Sequence, residues 1–154
     1  MGIKAALSKP FAFLVSLQIN KLRKNAPQFQ DQVFHQLIKT GAKTAFGRDH
    51  HFDQISNYED FKKHVPIRDY EQLKPYIERV THGEESVLWP GKPAYLAKTS
   101  GTTSGVKYIP ISKDSMPEHI RAARNALLNY IYETGNASFT DGKMIFLQGS
   151  PELQ

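Results

Sequence analysis

The residues best able to do chemistry in this sequence stand together in AKTSGTTSGVKYIPIS (Ala97 to Ser112), between two alternating apolar stretches. Ser100, Gly101, Thr102, Thr103, Ser104 and Gly105 carry either a hydroxyl or no side chain at all. Gly101 and Gly105 admit positive φ and let backbone amides approach a ligand closely. Successive amides in such a turn form a concavity that binds anions. The hydroxyls of Ser100, Thr102, Thr103 and Ser104 add donors, and Lys107 adds a compact positive charge. The chemistry on offer is a grip on phosphate. It is not the nucleotide-triphosphatase loop, because the spacing is G-x-x-x-G-x-K and the loop joins two predicted strands rather than a strand and a helix. A slack Ser/Gly/Thr hairpin tip with no ligand is the competing reading. Residue chemistry alone leaves both open.

A second polar group is RDHHFD, with Asp49, His50, His51 and Asp53. Adjacent histidines point in different directions and no further ligand cluster accompanies them, so a polar surface turn is preferred to a metal site. No metal-binding residues are assigned. Tyr58, Phe61, Tyr70 and Tyr76 lie at helical spacing and read as core and boundary packing rather than as a stacking platform.

The elements that must position the loop follow from periodicity. Pro10 suits the first turn of a helix running to about Lys24, with Phe11, Leu14, Val15, Ile19 and Leu22 on one side and Phe13 and Leu17 widening it. Pro27 opens a second helix, which Gly41 ends or loosens. Ser56 and Glu59 form a capping box before a short helix that stops near Val65, because the residue before Pro66 is pushed into extended geometry. Asp69 caps the next helix, which Pro75 splits or restarts and Gly83 ends. The period then changes to two. Ala94 to Thr99 and Val106 to Ile111 read as strands flanking the loop, with Lys107, Ile109 and Ile111 on one face. Ser115 and Glu118 form another capping box for an amphipathic helix carrying Ile120, Ala123, Leu127, Leu128 and Ile131, and Gly135 stops it. KMIFLQGS (Lys143 to Ser150) has the continuous apolar core of a strand buried on both faces.

The fold class is therefore α/β: a helical N-terminal region, a strand-loop-strand hairpin, an amphipathic helix and a buried strand. That last strand needs neighbours, and the sequence runs only seven residues past Leu147. Apolar surface is accordingly expected on Met144 to Leu147 or on the helix from Pro117 to Thr134.

The 154 residues suit one domain. There are no cysteines, which excludes disulfide and thiolate chemistry and fits a reducing compartment. The net charge of +5 suits an anionic partner, but the basic residues are scattered among acids without aromatic interleaving, which argues against nucleic acid. FAFLVSLQI (Phe11 to Ile19) is too short to span a bilayer, and no small-x-small cleavage site follows it. Ala6 stands where myristoylation at Gly2 would want Ser or Thr. A cytoplasmic protein with no membrane span is expected.

TSGTTSGVK (Thr99 to Lys107) resembles the phosphate-loop signature of the adenylate-forming enzymes, the acyl-CoA synthetases, adenylation domains and luciferases, which read T-S-G-T-T-G-x-P-K. This sequence has the extra Ser104 and lacks the proline. In that it is similar to the form S-G-T-[ST]-x-G-x-x-K of the auxin-responsive acyl acid–amido synthetase family. FGRDHHFDQISNYEDFKKHVPIRDYEQLKPYIERVTHGEE, YIPIS and MIFLQGSPEL resemble the family's flanking segments, most closely those of bacterial members.

The resemblance implies that Ser100, Gly101, Thr102, Thr103, Ser104, Gly105 and Lys107 hold the phosphates of ATP, with Mg²⁺ sharing the charge. A carboxylic acid would attack the α-phosphate, and an amine, usually of an amino acid, would then displace AMP. The helix carrying Arg121 and Arg124 would help to line the acyl pocket, although a solvated helix face is the simpler account of both arginines. The family's adenine-binding and metal-associated motifs and its C-terminal cap have no counterpart here. Residues 1–154 would thus be part of an N-terminal ATP- and acyl-binding domain, unable to complete the reaction alone. A non-catalytic phosphate-binding module and a thioester-forming ligase are the alternatives, and the departure from the acyl-CoA synthetase loop speaks against the second.

Overall fold

A computed structural model describes residues 2–99, 105–143 and 145. It is mostly helical with a small antiparallel sheet: α1 (Ile3–Lys24), α2 (Ala26–Gly41), α3 (Ala45–Asp49), α4 (Tyr58–His64), α5 (Tyr70–Thr81), β1 (Tyr95–Lys98), β2 (Tyr108–Ile111) and α6 (Met116–Thr134). The chain divides into two compact units, residues 1–25 with 120–154, and residues 26–119.

In the first unit, α1 begins seven residues before Pro10, not at it. A proline inside a helix removes one amide donor and crowds the carbonyl four residues back. Here the early start is secured from elsewhere. The Asp141 carboxylate accepts the Gly2 amide at 2.7 Å and the Ala5 amide at 3.2 Å, supplying the cap that the local sequence lacks. A Cβ at Gly2 would collide with that carboxylate. The core joins Ala5, Ala12 and Val15 of α1 to Leu128 and Ile131 of α6 and to Ala137.

This corrects the expected α1 face in part: Val15 and Ile19 face the core as expected, and Phe11, Leu14 and Leu22 do not. Small residues make the contact, whereas Phe11 and Leu14 remain 53% and 61% exposed. On α6, Leu128 and Ile131 are buried while Ile120, Leu127, Tyr130 and Tyr132 stay exposed, so apolar surface lies on that helix as expected. Gly135 follows α6 at φ +68° and acts as its stop. Apart from Lys143 and the exposed Ile145, the expected strand from Lys143 to Ser150 lies outside the described residues. No helix among the described residues is long and apolar enough to cross a membrane.

The second unit is held by an aromatic chain and a small aliphatic cluster. Phe34 of α2 meets Phe61 of α4 edge-on at 5.9 Å, Phe61 meets Phe52, and Phe52 meets Phe46 of α3, which in turn meets Tyr76 of α5 at 5.2 Å. Ala45, Val80 and Val87 form the aliphatic cluster, with Leu96 of β1 packed against it. The Ala45 and Phe46 amides donate to the carbonyls of Ser86 and Val87, both at 2.9 Å, tying the start of α3 to the segment before the sheet.

Caps set the helix boundaries. Thr44 caps α3 by accepting the Gly47 amide. The expected box at Ser56 and Glu59 is not formed, and the cap falls one residue later, on Asn57. Asn57 accepts the Asp60 amide at 3.0 Å and donates to the Asp60 carboxylate at 2.9 Å, while Glu59 pairs with Lys62. Asn57 thus caps α4 by itself, and the Asp60 carboxylate also accepts the Ser56 amide at 3.2 Å, so the reciprocal bond of a capping box is not made. The residue Val65, before Pro66, is extended and ends α4 as anticipated.

Asp69 and Gln72 form the full capping box of α5. Pro75 does not split this helix. Its missing donor falls opposite the carbonyl of Glu71, an exposed residue open to water, and both helix ends are firmly closed. Gly83, at φ +88°, closes the far end with bonds from Gly83 to Val80 and from Glu84 to Arg79, the Schellman pattern. The Arg79 guanidinium grips Glu84 through two bonds and holds its carboxyl below the usual carboxylate range.

Two outcomes follow. Asp141→Ala is expected to cost about 1 kcal/mol through loss of the α1 cap. Urea unfolding of the variant tests this, and an unchanged midpoint would refute it. His35 presents Nδ1 to the Asp31 carbonyl at 2.9 Å and Nε2 to the Ser56 carbonyl at 3.0 Å. Carbonyls only accept, so both bonds require the imidazolium. These bonds, then the Asp31 charge, raise the His35 pKa. The folded value lies above the unfolded one, so this stabilisation is present below about pH 6.5 and is lost as pH rises through the folded value. NMR titration should place the His35 midpoint above its peptide value, and His35→Gln should flatten that part of the stability profile.

Candidate functional site

β1 and β2 pair antiparallel, with Tyr95 opposite Ile111, Leu96 opposite Pro110, Ala97 opposite Ile109 and Lys98 opposite Tyr108. The strands lie within the predicted limits of Ala94 to Thr99 and Val106 to Ile111. The Thr99 amide donates to the Lys107 carbonyl at 3.0 Å and closes the pair next to the loop. By the alternation of an antiparallel ladder, Tyr108 and Pro110 then occupy positions whose backbone nitrogens point away from β1. Pro110 costs no ladder bond there. The Tyr108 amide is taken by the Tyr70 hydroxyl at 2.8 Å.

Of the phosphate-binding candidates, Ser100, Gly101, Thr102, Thr103 and Ser104 lie outside the described residues. Gly105 and Lys107 are described. Gly105 sits at φ +79°, in the region anticipated for it, with open space where a Cβ would be. Backbone conformation, not crowding, is what asks for glycine there. The Lys107 ammonium lies 5.3 Å from the centroid of the Tyr70 ring. Lys107 follows Gly105 after one intervening residue, one fewer than in the G-x-x-K spacing of the amido synthetase form. A shift of one residue in a strand moves a side chain to the opposite face. Lys107 therefore shares a face with Ile109 and Ile111, away from that of Tyr108 and Lys98.

Arg121 and Arg124 lie on exposed positions of α6. Arg124 bonds the neighbouring Asn125 carbonyl oxygen through Nε and Nη2, at 3.2 and 3.0 Å.

The RDHHFD turn is less polar than its composition. His50 is buried, stacks on Phe46 at 4.0 Å, and donates from Nδ1 to the Phe46 carbonyl at 2.7 Å. Its Nε2 has no hydrogen-bond partner among the described residues. Asp49 accepts from the Tyr76 hydroxyl at 2.8 Å, and burial followed by that bond raises the Tyr76 pKa. His51 turns outward in a left-handed conformation. Among the described residues no three metal-ligating side chains converge. A cavity of about 220 Å³ lies at the end of the hairpin remote from the loop, lined by Val80, Val87, Trp89, Pro93, Pro110 and Ser112 among others.

A family model described as the GH3 family N-terminal domain matches residues 16–152, which include the whole hairpin. This chain belongs to the GH3 family.

Among GH3 relatives, indole-3-acetic acid-amido synthetase GH3.15 of Arabidopsis thaliana is 34% identical over 104 residues, covering 66% of this chain and 17% of the relative. Jasmonoyl-L-amino acid synthetase JAR4 of Nicotiana attenuata is 24% identical over 136 residues, 86% of this chain and 23% of the relative. The 4-substituted benzoates-glutamate ligase GH3.12 of Arabidopsis thaliana is 34% identical over 91 residues, 58% of this chain and 16% of the relative. The chain thus spans about a fifth of the length of the curated relatives it matches.

Sequence reasoning missed Tyr70 as part of this GH3 hairpin. Its helical spacing with Leu73 and Ile77 signals packing, and nothing in that pattern announces a bond to a strand 38 residues away. For the glycine, Gly105→Ala is expected to destabilise by about 1 kcal/mol, since a side chain strains the left-handed region. Urea unfolding with an unchanged slope and a lower midpoint is the expected result, and an unmoved midpoint would show that the residue does not need this conformation.

Proposed function

We propose that this chain supplies the phosphate-holding hairpin of an ATP-dependent acyl acid–amido synthetase of the adenylate-forming superfamily. The observation that carries this reading is the strand-loop-strand hairpin with left-handed Gly105 and half-buried Lys107, set inside the GH3 match over residues 16–152. The resemblance of the flanking segments favours a bacterial-type member, and the lack of cysteine suits a cytoplasmic setting. In this reading the hydroxyls of Ser100, Thr102, Thr103 and Ser104, the loop amides and the Lys107 ammonium bind ATP.

A carboxylate is a poor electrophile. Its oxygen attacks the α-phosphorus of ATP, forming the acyl-adenylate as the bond to pyrophosphate breaks. The amine nitrogen of an amino acid then attacks the acyl carbon, AMP leaves, and the amine proton is lost. Negative charge moves onto pyrophosphate in the first step, so donors fixed around it lower the barrier. Mg²⁺, when bound, would share that charge. We take the acid to be of the kind for which the relatives are named, indole-3-acetic acid, a jasmonate or a 4-substituted benzoate, and the acceptor to be an amino acid such as glutamate; the relatives' names support this reading. Arg121 and Arg124 remain candidates for the acid's polar group, with Arg124 needing to exchange its bond to Asn125.

ATP–pyrophosphate exchange with each of these acids tests the reading on the full-length protein that carries these residues. Acid-dependent exchange is expected, and Lys107→Ala should lower it by about tenfold or more, as for loss of a charge-assisted contact. ATP binding with no exchange for any acid would favour the non-catalytic module. If Lys107→Ala combined with Ser100→Ala left exchange unchanged, the loop assignment would be wrong.

A further inference from the structure

Tyr70 is the first residue of α5, and it touches two consecutive residues at the start of β2, Lys107 just before the strand and Tyr108 within it. Its hydroxyl accepts the Tyr108 amide at 2.8 Å, and its ring receives the Lys107 ammonium at 5.3 Å. Neither contact completes an element. The Tyr108 amide points out of the sheet and water could satisfy it. Lys107 could extend into solvent, as most lysines do.

What the phenol does instead is hold a cation without neutralising it. Among the described residues Lys107 forms no ion pair, whereas Lys62, Lys63, Lys74, Arg79 and Lys92 each pair with an acid. Both acids adjoining Tyr70 are engaged elsewhere: the Asp69 carboxylate accepts the Gln72 amide at 2.9 Å, and Glu71 pairs with Lys74. A lysine bound to a carboxylate must break that pair before it can bind phosphate. A lysine over an aromatic face keeps N–H donors free and gives up little, since the attraction at an exposed site is worth only about a two- to fivefold change in an equilibrium constant.

The placement of Tyr70 is itself fixed. The Asp69–Gln72 capping box sets the first turn of α5, and Tyr70 is its first residue. Lys107 stands two residues from Gly105, at the exit of the loop.

We propose that Tyr70 is a positioning residue for the phosphate-binding hairpin. Its ring holds the Lys107 ammonium poised toward an incoming polyphosphate, and its hydroxyl fixes the strand that carries the lysine. The ammonium keeps its ring contact when the ligand binds and turns its remaining N–H groups to the phosphate oxygens. The benefit is pre-organisation: a long side chain is ordered before the ligand arrives. This rests on the reading of the hairpin as a phosphate holder.

The test measures binding of MgATP, and separately of inorganic pyrophosphate, to the full-length protein that carries these residues by calorimetry. Lys107→Met should weaken binding about tenfold or more. Tyr70→Leu should weaken it about three- to fivefold, and Tyr70→Phe, which keeps the ring, by less than about twofold. In Tyr70→Phe the Tyr108 amide should exchange faster with solvent while affinity holds. Added to Lys107→Met, Tyr70→Leu should cause no further loss.

If the two losses multiply instead, or if Tyr70→Leu binds as well as or better than the parent, Tyr70 does not act through Lys107. The proposal then falls while the phosphate reading stands. If Lys107→Met binds like the parent, the phosphate reading falls and the proposal with it. Should Tyr70→Leu fail to fold, pentafluorophenylalanine at position 70 compared with Tyr70→Phe decides the point, since it keeps the ring's shape and reverses its quadrupole.

Discussion

Backbone amides at the start of a helix have no partner within it, and meeting that demand organises both units of this chain. Thr44, Asn57 and Asp69 meet it locally for α3, α4 and α5. Asp141 meets it for α1 from the far end of the sequence. The apolar clusters that accompany these caps are small, and several of their members are alanines. Position therefore depends on polar fixtures as much as on buried area. The amides of Ala45 and Phe46 show the same economy by reaching Ser86 and Val87, which brings α3 against the segment leading into the sheet.

The hairpin inherits its geometry from these fixtures in sequence. A capped first turn orients Tyr70, Tyr70 engages β2, and β2 presents Lys107 at the loop's exit. On the other side, Leu96 of β1 packs on the Ala45, Val80 and Val87 cluster. One strand is thus seated by apolar contact and the other by a phenol. A two-stranded ribbon is marginal by itself in water, so the pair of strands depends on α5 and on the apolar cluster for its place.

Features with short-range causes were legible in the sequence. The change of period at Ala94 marks the hairpin, Asp69 announces α5, and Gly83 and Gly135 end their helices where a left-handed residue is needed. Features with distant causes were not. Pro10 looks like a helix start because nothing nearby indicates that Asp141 will cap the chain seven residues earlier. Of the large apolar residues that suggested the buried face of α1, Val15 and Ile19 reach the core, but close packing fills the rest of the contact with Ala5 and Ala12. Pro75 resembles a break until both ends of α5 are seen to be closed. At the site, the glycine conformation was legible from residue type, while the contacts of Tyr70 depend on register between elements and left no local trace.

Pro110 and Tyr108 together determine how the small sheet can grow. The outward edge of β2 carries a proline without an amide and an amide already taken by Tyr70. A further strand approaching from that side would find neither donor of the central stretch available. The outward amides of Leu96 and Lys98 on β1 face the opposite way. Strand addition, whether by another part of the polypeptide or by a foreign edge, is thereby directed to β1, and β2 is kept as a border.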